Sequence, residues 1–426
     1  MKFFKILFLF IFLFNSYAQD KAMLLDTINS TIFKDELLNF YTEKYNFFNS
    51  TLEDNLKDQS KKNSKIIYLE HQKEFLQKIK KGNFISDKRI NNYIQKLLFE
   101  ILDKNNINKK EYRILISNDS EINAYNTGDG TIVVNYGLFT ILDSEDELVF
   151  VLCHEISHQE LQHVKKEVEK FVNLNNSEEI VNKTKEIKSL KYNRSKAAAT
   201  FLHKLNYTNY SQRRKKEIEA DSLGCYYYSY TNRDFKSPIS ILRKLNDSNK
   251  EIDSLSIQDY KTLFETESYK IKNKYFEVEK SLFNRYDYKP VYQIDSLKTH
   301  PDCLARIKNI QKILKDQTLK EIKSDEFNNL KKHTYYQNLY NLYLKGDFGI
   351  CLYESLKRYK MDKSLFYKDL IFLNLIAIQN AKKELTLSKH IPQVDYVYNS
   401  SSLNRFISMI SNFKNTDLEI IIQKFK

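Results

Sequence analysis

Glycine and proline are nearly absent from this chain: seven Gly and four Pro are spread over 426 residues. Sandwiches and barrels reverse direction often and draw on these residues to do so. A chain that turns so seldom must place most of its length in helices. One region escapes this rule. Tyr112–Ser117 alternates around Ile114 and Ile116, and Asn123–Asn126 and Thr131–Val134 flank the turn Gly128-Asp129-Gly130. The expected class is therefore α+β, mostly helical, with a small β-sheet. Hydrophobic residues make up 42% of the chain, and its length allows two or three domains around at least one sizeable core.

The first residues address the compartment. Lys2 and Lys5 precede the apolar run Ile6–Phe14, with small or polar residues through Ala18. This reads as a signal peptide over 1–19, because the run is too short to span a bilayer. The expected product is exported, to the periplasm, with no transmembrane segment in the mature chain. Residues 20–64 read as an N-terminal helical segment and 65–315 as the domain carrying the chemistry. Within it, 137–164 reads as one helix, 165–211 as a charged insertion or flap, and 212–230 as another helix. Pro301 sits where a helix starts. Residues 316–426 form an all-helical C-terminal region with a hairpin turning at Gly346-Asp347. A tetratricopeptide-like array is an alternative there, although no second copy recurs at a fixed period.

The formal net charge of +13 would favour nucleic acid in a cytoplasmic protein. In an exported one it reads as a Lys-rich solvated surface, with a basic face toward anionic lipid or an acidic partner as the alternative; no nucleic-acid partner is expected. Cys153, Cys225, Cys303 and Cys351 match no zinc-knuckle spacing. Export permits disulfides but does not pair them, and Cys153 reads as a small buried apolar residue.

The chemistry concentrates at His154-Glu155-Ile156-Ser157-His158, an HExxH pattern. Residues four apart share a helix face, so both imidazoles can bind one zinc ion. A catalytic site adds a third protein ligand and keeps one position open. Glu155 adjoins the first ligand and is placed to take a proton from the attacking water. The best third ligand is Glu217, in Glu217-Ile218-Glu219-Ala220-Asp221. On one helix face Glu217 would bind zinc while Asp221 holds a ligand imidazole, and small Ala220 would let two helices approach. Without the upstream motif this segment would read as an ordinary charged helix. His163, nine positions after His154, falls half a turn out of phase and is expected on the surface, away from the metal.

HExxH followed by ExxAD resembles the zinc metallopeptidases that include HtpX, the CAAX prenyl proteases, Oma and BepA. Asn123-Ala124-Tyr125, then Gly128–Val134 and Gly137-Leu138, look like that family's edge strand and following turn. His300-Pro301, with Arg306 five residues after the proline, resembles its downstream element. The resemblance spans about residues 65–315. It implies a zincin-like fold, one zinc ion on His154, His158 and Glu217, Glu155 as base, Asp221 in support, and His300 and Arg306 near the site. It also implies substrate binding at Asn123, Ala124 and Tyr125, where an extended peptide would pair with the strand edge. Lacking spanning helices, the chain is closer to the soluble, BepA-like branch. The function implied is a zinc endopeptidase acting on polypeptide substrates in envelope protein quality control, with C-terminal helices that recruit envelope partners. A chaperone or scaffold with an idle site, and a structural zinc closed by His300, are the alternatives.

Overall fold

The computed structural model describes residues 25, 30–53, 59–175, 177–189, 194–248, 251, 254–277, 303–314, 322–396 and 398–426. The expected signal peptide, 1–19, and His300-Pro301 lie outside the described residues. The chain is mostly helical and divides into two compact units, one of residues 26–251 and 280–331, the other of the remainder.

The first unit is built on a three-stranded sheet. Its strands are β1 (Arg113–Ser117), β2 (Ala124–Asn126) and β3 (Thr131–Asn135), in the order β1-β3-β2. β1 and β3 are parallel, with Leu115 opposite Val133; β2 and β3 form the expected hairpin, with Tyr125 opposite Val133. The turn between them needs Gly at both bends, since Gly128 and Gly130 have φ of 86° and 84°. Every residue of β3 is buried, because helices cover both faces of the sheet. On one face Leu115 and Val133 pack with Leu37, Tyr41, Phe75 and Ile79 from α1 (Ser30–Glu53) and α2 (Gln59–Lys80). The segment 20–64 thus contributes α1 to this unit. Against β1 packs α3 (Lys88–Lys104), which buries the stripe Ile90, Tyr93, Ile94, Leu97 and Leu98.

Residues 137–164 do not form the single helix expected from sequence. A 3₁₀ turn (Tyr136–Thr140) leads to α4 (Glu145–Glu160), which Ser144 caps by accepting from the Glu147 amide. The chain then passes through Gln162, in the left-handed region at φ 54°, and restarts as α5 (His163–Asn175). The region 165–211 is helical where described, apart from Ser177, and contains α6 (Glu178–Ser189) and the start of α7 (Arg194–Ser229). α4 packs most extensively against α7, and α8 (Ser237–Asp247) and α10 (Cys303–Ile313) complete the surroundings.

The described residues of the second unit contain no strand. They run through α9 (Ile257–Phe264), a 3₁₀ turn at Asn273–Phe276, the part of α11 (Asp325–Lys345) from residue 332, and α12 (Phe348–Asp362). α13 (Leu365–Lys383), α14 (Ser401–Asn412) and α15 (Asn415–Phe425) follow. Tyr260, Phe264, Leu352, Leu375, Phe406 and Phe413 are among the residues of its core. Gly346, at φ 83°, ends α11 at the expected turn. Among the described residues, no helix is long and apolar enough to cross a membrane.

Candidate active site

α4 is buried from Glu145 to Ser157, so His154 points into protein, and His158, one residue beyond, is half-buried. They face the same direction, with His154 Nε2 and His158 Nε2 3.0 Å apart. Across from them, α7 presents Glu217, whose two carboxylate oxygens each stand 3.5 Å from one of these nitrogens. Two imidazole nitrogens and a carboxylate thus converge from separate helices. Tetrahedral zinc, with bonds of about 2.0–2.2 Å, holds its ligand atoms about 3.3 Å apart, so the donor types and their spacing fit that ion.

The helices approach closely enough because the facing residues of α7 are small. Ala220 is fully buried, and one turn on, a Cβ on Gly224 would lie 3.2 Å from the His154 Cα. Asp221, on the same face as Glu217, places Oδ1 2.9 Å from His154 Nδ1. Arg306 of α10 closes the arrangement. It donates to both Asp221 oxygens, at 2.7 and 2.8 Å, and stands 2.9 Å from Glu217 Oε2. Burial alone would raise the pKa of both carboxyls, but Arg306 and the histidines hold Glu217 well below the usual range and keep Asp221 low. Burial also disfavours charge on His154, yet Asp221 and Glu217 outweigh it and lift the imidazole to about 10. His158 is driven down to about 3 by burial and by the neighbouring His154. Two carboxylates against one guanidinium leave one negative charge that the proton on His154 balances, and a divalent cation would take that proton's place.

Glu155 is 5% exposed. Burial pushes its carboxyl up to about 7, offset in part by His154, Arg306 and the backbone of Asn126 in β2. β2 is an edge strand of the sheet. Thr127 N–H donates to Thr131 and Asn135 N–H to Asn123, so alternation turns the main-chain groups of Ala124 and Asn126 away from β3, toward the open edge. Ala124 lines a small, largely apolar pocket with Leu138, Val151, Glu155, Leu242 and Arg306. The Tyr125 side chain points elsewhere: it packs on the α1–α2 side, where Lys78 donates to its hydroxyl at 3.2 Å.

His163 is not on the surface. It is 3% exposed, with Nδ1 2.9 Å from His158 Nδ1 and Nε2 3.3 Å from Glu219 Oε2. The phase argument assumed one continuous helix, and the left-handed Gln162 resets the phase. At the opposite end of α4 the buried Arg233 pairs with Glu145 at 2.9 Å and Asp146 at 2.8 Å, and Tyr93 donates to Glu145 at 2.6 Å.

Residues 88–314, just over half of the chain, match the peptidase family M48. This chain is a member of peptidase family M48. The matched span contains the HExxH helix, the Glu217–Asp221 segment and Arg306. Among curated proteins this M48 peptidase is similar to the β-barrel assembly-enhancing proteases of Escherichia coli strain K12, Shigella flexneri and Yersinia pestis. Each is 32% identical over 85 residues, covering 20% of this chain and 18% of the relative. The likeness therefore spans less than a fifth of those relatives' length.

The sequence pattern pointed to His154, His158, Glu217 and Asp221 and the family resemblance to Arg306, and the fold brings all five together. It did not point to Arg233 or to the inward turn of His163. Gly224 follows Ala220 by four residues, a small-residue spacing on one helix face that marks close helix packing and was available to be read.

Proposed function

We propose that this M48 chain is a zinc-dependent endopeptidase of exported or envelope proteins, with the metal held by His154, His158 and Glu217. The carrying observation is the convergence of these three donors from α4 and α7 beside the buried Glu155. When bound, zinc would act as a Lewis acid toward the scissile carbonyl and bring the pKa of a coordinated water to about 7.

The residues of the chain have separable tasks. Asp221 keeps a hydrogen on His154 Nδ1, which leaves the Nε2 lone pair free for the ion. Arg306 fixes both carboxylates and so aims Glu217. Glu155 takes the proton of the attacking water and returns it to the leaving amine; a carboxyl held near neutrality is suited to both steps. An extended polypeptide adds to the outer edge of β2 through the main chain of Ala124, next to Glu155. Its side chain beside the scissile bond meets the small apolar pocket lined by Leu138, Val151 and Leu242, which has room for little more than a methyl group and so favours a small residue there. Support for an envelope role comes from the N-terminal signal-like segment and from the relatives, named for protease activity and β-barrel assembly. His300 remains a candidate regulator of access.

Glu155→Gln keeps the shape of the side chain and removes the base. The expected result is unchanged zinc content with peptide hydrolysis reduced by at least about 10²–10⁴-fold. Undiminished cleavage by the variant would remove this reading, and intact envelope function without cleavage would favour a binding role.

A further inference from the structure

The two histidines of the site are supported differently, although they belong to one motif. His154 has a carboxylate at its Nδ1, that of Asp221. The Nδ1 of His158 faces another imidazole, at 2.9 Å. We propose that His163, backed by Glu219, is the positioning residue that fixes the tautomer and the orientation of the His158 ring. The inference rests on the metal reading above and extends it to residues outside the motif.

The proton positions follow from one condition. If His158 offers its Nε2 lone pair to the metal, its single hydrogen resides on Nδ1. That hydrogen can be accepted only by a bare Nδ1 on His163, which places the His163 hydrogen on Nε2. Nε2 in turn stands 3.3 Å from the Glu219 carboxylate, a suitable acceptor. Each ring thus has one tautomer consistent with both neighbours. The rings meet at 73° with centroids 4.9 Å apart, an edge-on approach rather than a stack. His163 is not a further metal ligand, because its nitrogen meets the side of His158 opposite Nε2.

The main chain holds this geometry. Gln162 in the left-handed region turns the backbone back, so that His163 opens α5 beneath the α4 face. Lys216 donates to the His163 carbonyl at 3.2 Å and pairs with Glu167 at 3.3 Å, tying α5 to α7. α7 therefore supplies the third metal donor at Glu217 and the end of the histidine relay at Glu219.

The test is zinc affinity of the full chain, by competition with a chromophoric chelator, together with the visible spectrum of the cobalt-substituted protein. His163→Phe keeps a planar ring without an acceptor; the expected result is about 10–100-fold weaker zinc binding and a shifted cobalt spectrum. His163→Gln restores an acceptor and should recover most of the affinity, and Glu219→Leu should weaken binding several-fold. Wild-type affinity and spectrum in His163→Phe, or equal losses in His163→Phe and His163→Gln, would overturn the proposal. If the Phe variant does not fold, Glu219→Leu at its half-exposed position decides, and unchanged zinc affinity there overturns the relay. His158→Ala separates the two readings. If it abolishes zinc binding while His163→Phe changes nothing, only the role of His163 fails; if the wild-type chain binds no zinc through His158, the metal reading itself fails.

Discussion

Arg306 is 2% exposed and meets both Asp221 and Glu217, so a single buried guanidinium is shared by two carboxylates. Removing one partner from such a cluster leaves charge buried without compensation, which costs far more than the net worth of the pair. Arg306→Leu should therefore lower unfolding stability by about 3–5 kcal/mol in urea titrations, with zinc binding weakened as Glu217 loses its aim. Arg306→Lys should not restore either property, because an ammonium cannot reproduce the forked contact with Asp221. A loss within about 0.5 kcal/mol for Arg306→Leu would show that the cluster is not the anchor described here.

The packing of α4 on α7 brings the proposed ligands together, and it depends on the absence of a side chain at Gly224. A Cβ there would approach the His154 backbone to 3.2 Å. Gly224→Val should cost about 1–3 kcal/mol by overpacking and weaken zinc binding by parting the helices. Unchanged zinc affinity would mean that the interface absorbs the extra volume elsewhere. Elements whose determinants are local were legible in the sequence. The β2–β3 hairpin was marked by two glycines, and the pairing of His154 with His158 needed only one helical turn. Glu217 and Asp221 were legible because they too lie one turn apart. His163 was misplaced because its direction depends on the backbone angle of Gln162, a residue type that gives no warning of a left-handed turn. The Arg233 cluster was missed because Glu145, Asp146 and Arg233 are far apart in sequence, and three acidic residues opening a helix look like ordinary N-terminal charges.

For the molecule as a whole, the buried acids give stability a definite acid limb. Burial would raise the Glu145 pKa from its usual 4.5, but hydrogen bonds from Ser324 and Tyr93 and the charge of Arg233 lower it. A depressed folded-state pKa contributes stability above the unfolded value, and that contribution disappears as pH falls through the folded one. The urea midpoint should therefore fall steadily as pH drops below about 4.5; a midpoint that is flat or rises toward pH 3 would contradict this. All four cysteines are buried and none is in a disulfide, with Cys153, Cys225 and Cys351 completely covered. Thiol titration should find four reactive groups in denaturant and almost none in the native protein, even without reductant. The most direct test of the central claim is anomalous diffraction at the zinc edge from crystals of the full chain. The expected result is one peak between the Nε2 atoms of His154 and His158 and the Glu217 carboxylate. No peak there, or a peak that excludes Glu217, would contradict it.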